Sequence, residues 1–512
     1  MAAGLFFGAK LSGLQEKYGI AGSDSPKLET VRKLVSRYYF EDLDADSLTD
    51  RMVIAMLETL DPHSSYMNAR DMREHEAEMM GEFEGIGITF NILNDTITVV
   101  SVVPGGPSQH GGLSAGDRIV TIDGENVAGV KIQNSEVIRK LRGPKGTKVR
   151  VGVVSPVLDY PLQMEIVRDK IPLHSVDVAY MIAPGIGYVQ IHSFSATTGK
   201  EFSNALDFLN SQGMKKLVLD LRGNPGGALQ SAVEVCDELL EQRKVIVSTR
   251  GKSIGEAVYR ATAAGDFQRE DQELVVLIDE WSASAAEIVA GAVQDQDRGL
   301  IIGRRSFGKG LVQRSFTLAD SSEVLLTVAR YYTPTGRCIQ KPFDGYEEEL
   351  VNRYLRGEMQ NPDSMPLIDS LKFKTPKGKI VYGGGGIVPD IFVPVDTSEE
   401  YVAYNRLSQA GILFRFALEY SDAHRIDLQE YKDVRAFDRA FSVTDAMVGE
   451  IVRRGEDADV SPGRVGALAR NEIKTVCKAY IARNFFGEEG FAYIMNQKDK
   501  AVLKALQVLR KK

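Results

Sequence analysis

The sequence predicts an α/β core carrying a small β-rich module, with helical segments at both ends. Three observations lead there. Between residues 171 and 395, apolar runs of strand length alternate with helix-length runs, the signature of buried, largely parallel strands. Residues 81–170 instead hold short β-type runs broken by Gly-rich turns. Residues 26–80 repeat apolar positions at helical spacing, and residues 396–512 are mostly helical and charged. The division is therefore 1–80, 81–170, 171–395 and 396–512, consistent with 512 residues at ~150 per domain.

The elements follow in order. MAAGLFFGAKLSG opens the chain with an apolar run too short to span a bilayer and without basic residues ahead of it. It reads as the remnant of a trimmed signal or anchor. PKLETVRKLVSRYYFEDL and DSLTDRMVIAMLETLD are helical, and the turn DPHSSY ends the second. In the β-rich module, EGIGITF, DTITVVSVV, DRIVTIDGENV and KVRVGVV are strands. The helix NSEVIRKLRG has Asn134 or Ser135 as its cap and Gly143 as its stop. In the core, strand GYVQIHSF precedes helix GKEFSNALDFLNSQ, KLVLDLR precedes ALQSAVEVCDELLEQ, and ELVVLIDE precedes SAAEIVAGAVQD. LIIG, LVQRSFTL and EVLLTVARYYTP are β-like. Asp396 and Thr397 are candidate caps for the final helical segment.

Composition excludes several functions. A net charge of −8 supplies no concentrated basic face for nucleic acid. Three scattered cysteines make no disulfide framework, and the six histidines form no metal-ligand motif, so no metal or cofactor is expected.

The chemistry-bearing stretch is GRRSFGKG, residues 303–310, which fits the first seven letters of a phosphate-binding loop. The eighth should be Ser or Thr and is Gly310, and a β-type run follows where a helix is needed, leaving nucleotide binding as a minor alternative. Lys309 and Gln313, four apart in a β-type run, can share one face. A solvated turn lysine is the plain alternative.

Ser282 and Ser284 stand at a strand-to-helix turn, where a serine is usually only a cap. Such a position also suits a nucleophile, because free backbone N–H groups and the positive helix end stabilise an oxyanion. Its base can be a lysine whose amine is neutral, which means depressing a reference pKa of ~10.4 by burial or nearby positive charge. Arg304 and Arg305 are expected to contribute that repulsion, and Gln313 to hold the amine without supplying a carboxylate. The glycines of LVLDLRGNPGGALQ, residues 217–230, can turn further N–H groups toward an oxyanion.

LDLRGNPGG, SASAAE and GRRSFGKGLVQ, in this order and spacing, resemble the carboxyl-terminal processing peptidases, also called tail-specific proteases. LDPHSSY, YYTPTGR and GGGGIVPD extend the resemblance over roughly residues 28–395. It implies Ser284 as nucleophile, Lys309 as general base, Gln313 as the residue orienting it, and Gly227 and Ala285 as backbone oxyanion donors. It also implies an α/β peptidase core with an inserted PDZ domain in which Gly85, Ile86, Gly87 and Ile88 receive a peptide's terminal carboxylate. The implied activity is that of a serine endopeptidase recognising protein C-termini, without cofactor, in the cell envelope and on its periplasmic side. The terminal helical segments are candidates for homodimer or adaptor contacts. The family often has Gly where Trp281 stands and Ser where Ala286 stands. The competing class is an inactive or gated PDZ scaffold.

Overall fold

The structure is a computed structural model that describes residues 26–155, 160–263, 265, 267–268, 271–396 and 398–511. The apolar run at residues 1–13 and the candidate cap Thr397 lie outside the described residues.

Helices α1 (Pro26–Tyr38) and α2 (Ala45–Glu58) follow the two expected helical runs. The turn after α2 leads into strand β1 (Ser65–Met67) and helix α3 (Ala69–Met80). Asn68 caps α3 through Arg70 N and Asp71 N, and left-handed Gly81 ends it.

The β-rich module comprises β2 (Glu82–Gly85), β3 (Ile88–Leu93), β4 (Thr96–Val102), α4 (Pro107–His110), β5 (Arg118–Ile122), β6 (Glu125–Asn126), α5 (Asn134–Leu141), β7 (Lys148–Val154), β8 (Leu162–Val167) and β9 (Asp169–Pro172). Its main sheet runs β3-β4-β5-β7-β8, so β3 is an edge strand, and the core holds Ile97, Ile119, Val137, Val149 and Val151. β2 and β9 pair as a separate ribbon at the module's entry and exit. Helix α5 corrects one expectation. Its N-cap is Gln133, which makes no side-chain cap bond, so neither Asn134 nor Ser135 caps it. Starting there, the helix places Val137 and Leu141, four apart, in the module's core.

The α/β domain contains β10 (Val178–Ala183), β11 (Ile186–Gln190), α6 (Thr198–Ser211), β12 (Lys216–Asp220), α7 (Leu229–Leu239), β13 (Val245–Gly251), β14 (Gly255–Arg260), β15 (Glu273–Ile278), α8 (Ala285–Asp295), β16 (Leu300–Gly303), β17 (Leu311–Thr317), β18 (Glu323–Tyr332), α9 (Glu349–Leu355), β19 (Lys372–Lys374), β20 (Ile380–Tyr382) and β21 (Ile391–Phe392). The central sheet runs β10-β11-β12-β15-β16-β21, parallel from β11 onward. A second sheet runs β1-β18-β13-β14, with β17 also on β18. Strand β1 thus carries the N-terminal segment into the α/β domain.

The helical end comprises α10 (Val402–Gln409), α11 (Ile412–Ala423), α12 (Arg425–Gln429), α13 (Val434–Ala440), α14 (Asp445–Asp457), α15 (Ala467–Asn496) and α16 (Lys500–Arg510). Gly487, at φ 64° and ψ −161°, interrupts α15. Ser398 caps the short turn before α10 through Glu400 N, while Asp396 accepts from Ser398 N. Alternation along β12 shows how the central sheet is covered. Leu217 and Leu219 face the cluster built with α6, α7 and α8, whereas Val218 faces Val502, Ala505 and Leu509 of α16. The module meets the helical end through Arg118 and Asp422, 2.8 Å apart. Among the described residues no helix is long and apolar enough to cross a membrane.

Candidate active site

Strand β15 ends at Ile278 and α8 begins at Ala285, so the turn between them fixes both candidate serines. Ser282 is fully buried, donating to Leu221 O at 2.7 Å and accepting from Asp279 N at 2.9 Å. It braces the turn. Ser284 sits at φ 53° and ψ −111°, a conformation that a non-glycine residue holds only when its surroundings impose it. The RGNPGG loop supplies part of that constraint. A Cβ on Gly226 would lie 2.6 Å from Ser284 Cβ and 2.9 Å from Ala285 N, so only glycine fits. Gly227, at φ 138°, lies against Phe194, where a Cβ would meet the carbonyl oxygen at 2.0 Å. Gly226–Gly227 and Ser284–Ala285 therefore run side by side, and Ala285 N belongs to the first helical turn, whose N–H groups have no intrahelical partner.

One carboxylate ties this turn to the lysine loop. Glu287, fully buried, accepts from Ser284 N at 2.9 Å and Lys309 N at 2.8 Å on Oε2, and from Gly308 N at 2.7 Å and Ser306 Oγ at 2.5 Å on Oε1. Burial raises the affinity of Glu287 for a proton, and these hydrogen bonds oppose the rise. Tyr331 Oη adds a second tie, donating to Ser284 O at 3.1 Å and Lys309 O at 2.9 Å.

Lys309 Nζ donates to Gln313 Oε1 at 2.7 Å. Burial holds the lysine below its usual pKa, while Glu287 and Asp61 act in the opposite sense. The expected repulsion from Arg304 and Arg305 is corrected. Arg304 Nε lies 2.6 Å from Glu280, and Arg305 pairs with Glu358 at 2.5 Å and Glu349 at 3.1 Å. Each guanidinium is matched by carboxylates, so desolvation lowers the lysine. Among the described residues Ser284 Oγ makes no hydrogen bond to Lys309 Nζ; the two residues are joined through their backbones.

The PDZ-type loop has a mixed character. Gly85 closes β2 opposite Asp169, Ile86 is buried in the module's core, Gly87 takes φ 74°, and Ile88 begins edge strand β3. A Cβ on Gly87 would approach Ile171 Cδ1 to 2.9 Å. Beside β3, Asn91 and Ile92 line a groove with Ile132, Gln133, Asn134 and Ser135. Trp281, three residues before Ser284, is 54 % exposed, so it is not a core residue. Among the described residues no group of three or more His, Cys, Asp and Glu is placed to hold a metal.

Two participants escaped the sequence reading. Glu287 stands three residues after Ser284, the spacing at which a carboxylate reaches back to a helix N-cap N–H, and that pattern could have found it. His63, in DPHSSY, accepts Gln313 Nε2 through its carbonyl oxygen; no local signal links positions 250 apart.

Comparison with known proteins matches residues 185–349 to Peptidase family S41, residues 98–155 to the PDZ domain, and residues 403–487 to a family of unknown function. The carboxy-terminal-processing protease of Bartonella bacilliformis is 37 % identical over 336 residues, 62 % of this chain and 76 % of that protein. Carboxy-terminal processing protease CtpA of Bacillus subtilis is 32 % identical over 370 residues, 72 % of this chain and 76 % of that protein.

Proposed function

Because this chain belongs to the carboxyl-terminal processing peptidases, a family of serine-type peptidases, we propose that it cleaves proteins near their C-termini using Ser284 and Lys309. The observation that carries the residue assignment is the half-buried Lys309 amine bonded to the uncharged Gln313 amide. Burial favours the neutral amine. One N–H goes to Gln313 Oε1, and the lone pair is left to take the Ser284 proton.

In this mechanism Ser284 Oγ attacks the scissile carbonyl carbon as its proton passes to Lys309 Nζ. The oxyanion lies between the N–H groups of Gly227 and Ala285. Collapse breaks the C–N bond, and the ammonium returns the proton to the leaving amine. Lys309 then takes a proton from water, whose oxygen attacks the acyl ester; the acyl C–O bond breaks and the ammonium returns the proton to Ser284 Oγ.

The substrate is an unstructured protein tail. Its terminal carboxylate is received at Gly85-Ile86-Gly87-Ile88, and its backbone adds to edge strand β3. The cell envelope, on its periplasmic side, is the proposed location. Helices α1 and α2 expose Leu28, Val31, Leu34, Ile54 and Met56 and are the proposed surface for a homodimer or adaptor. A gated resting state is the second reading, favoured by the missing Ser284–Lys309 bond. The nucleotide alternative is disfavoured because strand β17, not a helix, follows Lys309.

The test is proteolysis of an unfolded protein by wild type, Ser284→Ala and Lys309→Ala, with the new termini sequenced. Wild type is expected to generate termini near the substrate's C-terminal end, and both variants to generate none. Cleavage by Ser284→Ala refutes the assignment. Labelling of wild type by a serine-reactive probe separates a competent site from a gated one.

A further inference from the structure

The turn around His63 belongs to the N-terminal segment, yet it lies on the candidate active site. Asp61 folds it. Its Oδ1 accepts from His63 N at 2.8 Å and Ser64 N at 2.9 Å, and its Oδ2 from Ser64 Oγ at 2.7 Å. Thr327, which faces Gln313 across β17 and β18, anchors the turn. Thr327 Oγ1 donates to Asp61 Oδ1 at 3.1 Å, and Thr327 N to Ser64 Oγ at 3.2 Å. So registered, the His63 carbonyl accepts Gln313 Nε2. The His63 ring meets Tyr346 edge-on, with Nε2 2.5 Å from Tyr346 Oη. Tyr346 in turn covers Lys341, whose Nζ lies 4.1 Å from its ring centre and 3.9 Å from that of Phe307.

We propose that His63 is a positioning residue for Lys309: its carbonyl orients the Gln313 amide, and its ring shields the Lys309–Gln313 pair from water. The inference rests on the Ser–Lys reading above. An amide can be turned either way, and a carbonyl can only accept. The His63 carbonyl therefore takes the NH₂ end and leaves Oε1 toward Lys309. A reversed amide would oppose its own donors to an amine that must donate there.

The shielding argument follows from burial, the leading cause of the depressed lysine pKa. The His63 ring contacts Tyr346, from the segment after β18, and the charges that act on it are Asp61 from its own turn, Lys309 from the loop before β17, and Lys341 from the segment after β18. Burial, then Lys309, push the imidazole down to about 4 against the pull of Asp61, with Lys341 adding to the fall. The ring is thus neutral near pH 7 and adds bulk beside the amine without adding charge.

The experiment measures kcat and KM for a short ester across pH in wild type, His63→Ala, His63→Gln, Tyr346→Phe and Lys309→Ala, with thermal unfolding of each. His63→Ala should lower kcat about tenfold with KM within about twofold. Water readmitted beside Lys309 favours the ammonium, so the rising limb should move up by about half a pH unit or more. His63→Gln, which refills the space and can accept from Tyr346 Oη, should restore most of both. Tyr346→Phe removes one hydroxyl without opening a cavity and should move the limb the same way by less. Should His63→Ala fail to fold, His63→Gln and Tyr346→Phe carry the test. A limb unmoved in His63→Ala and Tyr346→Phe overturns the inference, as does a rise in KM with kcat intact, which would mark a substrate contact. An inactive Lys309→Ala beside an unmoved limb confines the failure to His63. An active Lys309→Ala overturns the Ser–Lys reading and this inference with it.

Discussion

Replacing Glu287 by Gln keeps the shape of the central tie and removes its charge. The two oxygens of Glu287 divide four donors between them: Ser284 N and Lys309 N on one, Gly308 N and Ser306 Oγ on the other. Glutamine has one acceptor oxygen and one NH₂. In the less costly orientation its NH₂ faces Gly308 N and Ser306 Oγ; the hydroxyl can turn to accept from it, so Gly308 N alone is left facing a donor. At ~1–3 kcal/mol for one buried donor left unsatisfied, partly offset by relief from burying a charge, a loss of about 1–2 kcal/mol is expected. For an α/β domain of this size, that lowers Tm by at least ~2 °C. The same change removes a negative charge that favours the Lys309 ammonium. The lysine pKa therefore falls further, and the rising limb of ester hydrolysis should move to lower pH while its plateau drops. Thermal unfolding and a kcat–pH profile on one preparation read both effects. An unchanged Tm would mean that the four donors do not depend on the carboxylate. A limb moving upward would mean that its charge does not act on Lys309.

Gln313→Glu should move the limb to higher pH, because a carboxylate bonded to Nζ favours the ammonium; a kcat–pH profile that does not move would separate Gln313 from the base. Ser282→Ala should keep most peptidase activity while lowering unfolding stability by about 1–2 kcal/mol, since a buried hydroxyl with two hydrogen bonds is lost. Denaturant unfolding and a protein-digestion assay check this, and loss of activity in a stably folded variant would reassign the nucleophile. Amidating a long substrate's C-terminus should slow its cleavage and leave hydrolysis of a short ester unchanged. Equal cleavage of amidated and free-acid substrates would remove Gly85-Ile86-Gly87-Ile88 from end recognition.

What could be read in the sequence was local. Strand–helix alternation predicts the β11–α6–β12–α7 and β15–α8 succession because buried parallel strands and their covering helices each bear a distinct pattern. Lys309 and Gln313 could be paired by strand spacing alone. Strand β9, whose partner β2 lies across the whole module, had no such marker. The Arg304 and Arg305 expectation failed for the same reason. Sequence shows two positive charges beside a lysine but not the carboxylates of Glu280, Glu349 and Glu358 that fold against them. Residue type alone favours Asn134 or Ser135 as the cap, whereas burial of Val137 and Leu141 goes with a helix entered from Gln133.

The contact between His63 and Gln313 joins a turn ahead of the β-rich module to a strand made 250 residues later. While the polypeptide emerges from a ribosome, the turn at Asp61 waits without β17 and β18 to dock on. Closing so long a loop is slow compared with local helix formation. A half-made chain accordingly carries the His63 turn but neither Ser284 nor Lys309, and a nearly complete one carries all three before they are brought together. The candidate site is in this way put together only after the strands of the α/β domain have been made.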